Sequence, residues 1–147
     1  MEMNQWFECT VAIDQMQDDG VTRKVSHKSL VDALSFTDAE VRIVKEMAPF
    51  TSGDLEVKAV KRVRIAEIFT GEGDLWFRVK AVFITIDEKT QAEKEVPYVI
   101  MVQSASFTQA VQAFMDGMKG SLMDYRIVAI TETKIEEVYP YQKPEGV

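Results

Sequence analysis

The feature that most constrains the fold of this chain is a pattern that occurs twice. The stretch SFTDA at 35–39 returns as SFTQA at 106–110, and the pair Trp6-Phe7 returns as Trp76-Phe77. The last part of each half aligns at an offset of 70 and the middle part at an offset of 71. Matches in the same order at nearly one spacing predict an internal duplication, with one residue inserted in a loop.

Each half has the pattern expected of two strands, a helix and a further strand. Apolar and polar residues alternate over 7–13, which is typical of a half-buried strand. Asp19-Gly20 then indicates a turn, after which the chain returns as a second strand. The long segment 55–69 is predicted as the last strand of the first half, and 125–139 as its counterpart in the second.

The repeated phrase is predicted to begin the helix of each half. In the first half Thr37 can act as N-cap, Glu40 completes a capping box, and Phe36 can pack on Val41. In the second half Ser106 with Gln109 offers a cap of the same type. The helix of the first half is then expected to turn an apolar stripe inward, formed by Val41, Ile43, Val44 and Met47.

A half of about 65 residues buries little surface by itself, so the two halves are expected to pack together. We therefore predict an α+β fold made of two tandem β-β-α-β repeats, at 1–70 and 75–141, that form one compact unit, with a flexible tail at 142–147. Two arrangements are open. The strands can join in one mainly antiparallel sheet with both helices on one side, which we favour, or form two small sheets that face each other.

Composition narrows the classes of partner. The net charge of −7 opposes tight binding to phosphate or to an anionic membrane, although a local basic strip can override it. Cys9 is the only cysteine, which excludes a disulfide within the chain and a thiolate metal cluster, and its place in an apolar alternation predicts a buried, inert thiol. The sequence shows no signal peptide and no apolar run of about 18 residues, so we expect a cytoplasmic protein without a membrane partner.

Motifs that carry catalysis are missing from the sequence. It contains no P-loop, no GxGxxG and no GxSxG. His27 is the only histidine and is expected to be a solvated strand residue, since a metal site needs further His or Cys ligands. The acidic neighbours Asp18-Asp19 and Glu136-Glu137 point to opposite sides of an extended chain. We therefore expect a non-enzymatic binding protein without catalytic residues, metal ligands or cofactor.

Two features indicate what such a protein could bind. Segment 55–69 has apolar residues at odd positions, with Lys58, Arg62 and Arg64 predicted as a row on the opposite face. Trp6 and Trp76 fall out of phase with the apolar residues that follow them, and Trp76 shares its face with Arg78 and Lys80. Exposed aromatic rings and cations on one sheet face are how single-stranded nucleic acid is commonly held.

The sequence thus predicts a candidate site for single-stranded DNA or RNA, formed by Trp6, Trp76, Lys58, Arg62, Arg64, Arg78 and Lys80. Base stacking on an aromatic side chain contributes about 1–3 kcal/mol per base, which can outweigh an unfavourable net charge at moderate salt. A plainer interpretation stays open: each Trp can cover the end of a core, and the cations can be ordinary solvated side chains.

Longer phrases resemble a known family. WFEC at 6–9, LVDALSFTDAE at 30–40, WFRVKAVFITIDEK at 76–89 and DYRIVAITETKIEEVYPY at 124–141 together resemble a family of small uncharacterised proteins from Bacteroides-type bacteria and their phages and mobile elements, labelled as a domain of unknown function. The resemblance covers 6–141. It implies a cytoplasmic, stand-alone protein and suggests a setting in phage or plasmid DNA metabolism, and it transfers no catalytic residue.

Two other classes of function stay open. A protein-interaction or assembly module would present strand edges and a Met-rich helix surface, with Met115, Met118 and Met123, to a second copy or to a host or phage partner. A small-ligand binder would use the cleft between the two repeats.

Overall fold

A computed structural model describes residues 5–141 of the chain, so the predicted flexible tail at 142–147 lies outside the described residues. The helices are α1 (Phe36–Met47), followed by a 3-10 turn at Ala48–Phe50, and α2 (Phe107–Gly117). The strands are β1 (Gln5–Met16), β2 (Thr22–Ala33), β3 (Leu55–Val63), β4 (Glu67–Phe69), β5 (Leu75–Ile86), β6 (Glu93–Ser104), β7 (Asp124–Glu132) and β8 (Ile135–Tyr139). Neither helix is both long and apolar enough to cross a membrane.

The strands form two separate four-stranded sheets, in the orders β3-β1-β2-β8 and β4-β6-β5-β7. The predicted α+β class is confirmed, with mostly antiparallel pairing and two helices, but two sheets replace the single continuous sheet that we favoured. The chain divides into two compact units. Unit 1 contains the described residues 5–64 and 135–141, and unit 2 contains 65–134.

The single strands predicted at 55–69 and 125–139 are wrong, because each segment is divided into two strands, and the units differ from the predicted repeats at the shorter strand of each pair. β4 lies in the first repeat by sequence, yet it pairs in parallel with β6 of unit 2. β8 lies in the second repeat, yet it pairs in parallel with β2 of unit 1. Each repeat thus contributes its last strand to the other unit, and only three residues connect β3 to β4 and two connect β7 to β8. The duplication itself stays a prediction; what the units share is one topology.

Both helices begin at the serine of the repeated phrase. The Oγ of Ser106 accepts a hydrogen bond from the backbone N–H of Gln109 at 3.2 Å, which confirms the predicted cap. In α1 the predicted N-cap Thr37 is wrong, because Ser35 caps the helix by accepting from the N–H of Asp38 at 3.0 Å. The Asp38 carboxylate in turn accepts from the N–H of Leu34 at 2.9 Å, so the cap is closed from both sides two residues earlier than predicted.

The shifted start also changes which face of α1 is buried. Ala39, Ile43 and Met47 are buried at a spacing of four residues, whereas Val41 and Val44 are exposed, so the predicted inward stripe is half wrong. The core of unit 1 combines these helix residues with Phe7, Cys9, Val11 and Ile13 of β1. The core of unit 2 is built the same way from α2 and β5.

Cys9 is completely buried in the core of unit 1, as predicted. Burial, assisted by the nearby charge of Glu8, raises the pKa of its thiol to about 11. Because the thiolate is the reactive form of cysteine, this thiol is inert at neutral pH.

Gly20 and Gly73 both have a positive φ, but only Gly73 lacks room for a Cβ atom. Gly73 has φ of +118°, and a Cβ there would lie 2.3 Å from backbone atoms of Ser104 and Ala105. Gly20 has φ of +81°, and a Cβ there would meet nothing within 4 Å.

We expect Gly20→Ala to lower the free energy of unfolding by about 1–2 kcal/mol, which is the cost of a left-handed residue. Gly73→Ala should lower it by more than about 3 kcal/mol, because steric overlap adds to the backbone strain. Urea unfolding followed by far-UV circular dichroism measures both, and equal losses would contradict the packing around Gly73.

Candidate nucleic-acid interface

Trp6 and Trp76 are core residues. Their side chains are only 8% and 3% exposed. Each lies on the sheet face away from the helix, where Leu30 in unit 1 and Met101 in unit 2 are also buried. A buried indole presents no ring to a base, so the prediction that these residues stack on nucleic acid is wrong. The strand period correctly indicated which face they occupy, but both faces of each sheet are buried around them.

The predicted cation row on β3 is broken by a β-bulge. The pairing of β3 with β1 shifts by one residue opposite Thr10 and Val11, which leaves Lys58 as the extra residue. A bulge of one residue reverses the face on which the following side chains lie. Arg62 therefore lies opposite Phe7, on the side of the sheet that carries α1, and Lys61 lies opposite Glu8 on the other side. Arg64 follows β3 in the connection to β4.

The cations of unit 1 differ in whether they are neutralised. The Nζ of Lys58 lies 3.2 Å from the carboxylate of Glu56, so this predicted site residue has an acidic partner. Lys61, Arg62 and Arg64 are exposed, and within residues 5–141 no carboxylate lies in ion-pair range of any of them. The charge that β3 offers to a ligand therefore lies at the end of the strand and just beyond it, rather than along its whole length.

Arg78 and Lys80 belong to unit 2. They are exposed residues of β5, on the sheet face of Trp76, and they lie opposite Thr131 and Ala129 of β7. Lys58, Arg62 and Arg64 belong to unit 1. The seven predicted site residues are therefore divided between two units, and two of them are core residues.

An exposed aromatic ring that the sequence analysis assigned to another role lies in unit 1. Phe36, the first residue of α1, is 53% exposed, and its ring contacts the ring of Phe7 edge-on with centroids 5.0 Å apart. Because Phe7 is also the residue opposite Arg62, the exposed ring and the cation flank the same core side chain. We call Phe36 and Arg62, together with the exposed cations Lys61 and Arg64 that adjoin Arg62 in the chain, the unit 1 patch, although Lys61 lies on the other side of the sheet. Its signal in the sequence is a phenylalanine directly after a capping serine.

Unit 2 contains the same aromatic element without the same charge. Phe107 is also 53% exposed, and its ring lies 6.0 Å from that of Phe77 in an edge-on contact. The residue opposite Phe77 is Glu132, where unit 1 has Arg62. The two units therefore present phenylalanine rings of equal exposure, with a cation at the equivalent strand position in unit 1 and a carboxylate in unit 2. Unit 2 can serve as an internal control for any role of the unit 1 patch.

His27 is a structural link and not the solvated residue that we predicted. Its Nδ1 lies 2.6 Å from a carboxylate oxygen of Glu136 in β8, and its Nε2 lies 3.0 Å from the side-chain oxygen of Gln15 in β1. The imidazole thus connects three neighbouring strands of one sheet. No group of three or more His, Cys, Asp or Glu residues suited to holding a metal ion occurs within residues 5–141.

Asp32 and Gln103 occupy equivalent positions in the two units, and each accepts a backbone hydrogen bond, Asp32 through a carboxylate and Gln103 through an amide. Each lies opposite a buried Trp on the neighbouring strand. The side chain of Asp32 accepts a hydrogen bond from the backbone N–H of Tyr141, shortly after β8, and that of Gln103 accepts one from the N–H of Gly71, shortly after β4. Burial raises the pKa of Asp32, opposed by the Tyr141 N–H and by the charge of Arg42. The two side chains therefore fix the ends of β8 and β4, with a carboxylate in one unit and an amide in the other.

Comparison with protein families gives one match that covers all of the described residues. The sequence model of a domain of unknown function, DUF4494, matches residues 5–141. A search of curated proteins gives no match to the chain. The predicted resemblance to an uncharacterised domain family is confirmed at that level.

Replacing either tryptophan should destabilise the protein. We expect Trp6→Ala and Trp76→Ala each to lower the free energy of unfolding by about 3–5 kcal/mol, the range for removing a large buried aromatic side chain. Phe36→Ala, which removes a half-exposed ring, should lower it by about 1 kcal/mol. Urea unfolding of the three variants measures the difference, and an unchanged midpoint in either Trp variant would contradict the burial of that indole.

Two carboxylates, Asp32 at the end of β2 and Asp38 in the first turn of α1, should affect stability with opposite sign. Since the pKa of Asp32 is raised in the folded state, its ionisation opposes folding at neutral pH, and Asp32→Asn should raise the free energy of unfolding there. The gain should fade as the pH falls through the pKa of an unfolded aspartate, about 3.9, and vanish about one pH unit below it, where the acid is protonated in both states. The hydrogen bond from Leu34, with help from Arg42, lowers the pKa of Asp38, so Asp38→Asn should destabilise at neutral pH and have no effect in acid.

Urea unfolding at neutral and acid pH tests both substitutions, and the comparison between them controls for nonspecific effects of removing a negative charge. Changes of the same sign at neutral pH would contradict the environments described for these two groups.

Proposed function

The chain belongs to the DUF4494 family of domains of unknown function, and we propose that this member binds single-stranded nucleic acid, DNA in the first place, through the unit 1 patch. The observation that carries the proposal is the position of the exposed Arg62 on the same side of the sheet as the half-exposed ring of Phe36. Two further exposed cations, Lys61 and Arg64, lie next to Arg62 in the chain, and among the described residues no carboxylate lies in ion-pair range of the three. The binding is non-catalytic: it uses charge and stacking and changes no bond in the ligand.

The cations supply the contact to phosphate. Lys61 to Arg64 span about 10 Å of extended chain at the usual rise per strand residue, long enough for contact with more than one phosphate. Each phosphate that a cation neutralises releases a condensed counterion, which makes binding sensitive to salt. With three such contacts, the logarithm of the affinity should fall with the logarithm of salt concentration at a slope of about −2 for a single strand.

Phe36 supplies the contact to a base. Its ring is held by the edge-on contact with Phe7, and about half of its surface stays open to solvent. A base can stack on an aromatic ring only when it is not already stacked in a duplex. This is why the proposal is specific for single strands, and the stacking term of about 1–3 kcal/mol per base offsets the repulsion from the net negative charge.

The proposed setting follows from the resemblance to proteins of Bacteroides-type bacteria and their phages and mobile elements. DNA of such elements becomes single-stranded while it is copied or transferred, so a small single-strand binder in the cytoplasm is consistent with that origin. This association supports the proposal less strongly than the geometry of the patch does.

A second candidate, the assembly module, draws on the surface of unit 2. Met115, Leu122 and Met123 are exposed near the end of α2, and Leu122 is fully so. Met118, which we expected on this surface, is buried in the core of unit 2. The remaining exposed apolar side chains favour contact with a protein rather than with nucleic acid.

Fluorescence anisotropy with labelled single-stranded DNA, single-stranded RNA and duplex DNA, at low and at physiological salt, tests the proposal. We expect saturable binding to the single strands, with DNA at least as tight as RNA, and no comparable binding to the duplex. Arg62→Glu, which introduces the residue of unit 2 at the equivalent position, and Phe36→Ala should each weaken binding about tenfold or more, consistent with the loss of a charged contact or of one stacked base.

Two matched controls separate the patch from general effects. Phe107→Ala removes an equally exposed ring from unit 2, and Lys89→Glu makes the same cation-to-anion change in the β5-β6 turn. Both should leave the affinity within about twofold. Equal weakening by Arg62→Glu and Lys89→Glu would show that net charge alone matters, and no binding to any strand at low salt would reject the proposal.

A further inference from the structure

We infer that β8 is an exchangeable strand, and that a second copy of this chain can supply it to unit 1. The inference is independent of nucleic-acid binding. It rests on where β8 comes from and on what holds it in place. β8 is one of the two edge strands of its sheet, and the chain reaches it directly from β7 of unit 2.

The strand pairing and core packing of β8 lie within unit 1. It pairs with β2 through a short parallel ladder that runs from Lys28 to Val31. Ile135 at its start is buried, and Tyr139 at its end packs against the core of unit 1. These contacts define a place for one strand on the edge of β2, and they are the same whichever copy of the chain provides that strand.

Two polar contacts fix the strand in its register. The carboxylate of Glu136 lies 2.6 Å from Nδ1 of His27, and beyond the strand the N–H of Tyr141 donates to the buried carboxylate of Asp32. Arg42 lies over the ring of Tyr141 at 4.3 Å from its centroid. A strand of another sequence would lack these partners, so the place is built for residues 135–141 and the occupant we propose is that segment of a second copy.

The connection before β8 is short and anchored. Thr133 and Lys134 are its only two residues, and both the backbone N–H and the hydroxyl of Thr133 donate to the carbonyl oxygen of Trp76, at 2.9 and 2.8 Å. Exchange of an identical element between copies keeps every contact of that element and changes only the path of such a connection, which makes it a low-cost route to a dimer.

Protein concentration decides between the two forms. A strand on a short connection competes for its own place at an effective concentration in the millimolar range. Exchange therefore needs partial unfolding that releases β8 while many copies are present, and the product should persist on later dilution because reversal requires the same release.

The test uses the full chain. Wild-type protein is brought close to its unfolding midpoint in urea at about 1 mM, with a parallel sample at about 1 μM, concentrations that lie at and far below the effective concentration of the tethered strand. Both samples are returned to buffer and analysed by size exclusion with light scattering. We expect a species of twice the chain mass in the concentrated sample alone, stable after dilution.

A disulfide trap identifies the exchanged strand. Copies with His27→Cys and copies with Glu136→Cys are mixed, treated in the same way at high concentration and oxidised; a mixed disulfide dimer is expected. A mixture in which Lys89→Cys, in the β5-β6 turn, replaces Glu136→Cys should give no more dimer than an untreated mixture. The double variant should form its bridge within a single chain when it is never unfolded.

Each result bears on the inference. A mixed disulfide together with a doubled mass supports it. Monomer alone after treatment at high concentration overturns it, as does a dimer that forms no mixed disulfide, because that dimer would associate through another surface. A double variant that forms no bridge within its own chain also overturns it, since His27 and Glu136 would then not be neighbours across β2 and β8.

Discussion

The parallel pairing of β8 with β2, and of β4 with β6, is the constraint on which the rest of the structure depends. Neighbouring antiparallel strands can be joined by a tight turn, whereas a parallel neighbour must arrive by a crossover from elsewhere in the chain. In this protein the crossover is the passage between the two units, so the last strand of each half completes the sheet of the other. The buried carboxylate of Asp32, the amide of Gln103 and the His27–Glu136 contact all serve to hold those two short strands.

The two units share a topology, so a difference in function between them must come from the side chains at equivalent positions. Both have a serine-capped helix, an exposed phenylalanine packed edge-on against a core ring, and a one-residue bulge in the outer strand. They differ where Arg62 is replaced by Glu132 and where Asp32 is replaced by Gln103. The first difference changes the charge of the surface and is the basis of the proposed binding by unit 1. The second changes how stability depends on pH, because only the carboxylate can be titrated.

Several local features were readable from the sequence because their causes are local. The apolar alternation of β1 and β5, the cap at Ser106 and the burial of Cys9 depend on neighbouring residues, and the structure bears them out. Thr37 was a reasonable N-cap by composition, but Ser35 and Asp38 close the helix start two residues earlier, which also leaves Val41 and Val44 in solvent. An error of two residues in a helix start turns its buried face, since each residue advances the helix by about 100°.

The amino-acid sequence by itself determined the α+β class, the strand-strand-helix pattern that begins each half, and the list of cations and aromatic residues from which any binding surface must be drawn. The single strands predicted at 55–69 and 125–139 are each divided in two, because the ends of these segments pair with the other unit. Only the tertiary structure decided which of those cations and aromatic residues are exposed. Trp6 and Trp76 lie on the sheet faces predicted for them, yet those faces are buried, and the period of a strand cannot report what covers it. The bulge at Lys58 moved Arg62 to the side of Phe36, because pairing with β1 sets the register of β3 and that pairing is a long-range interaction.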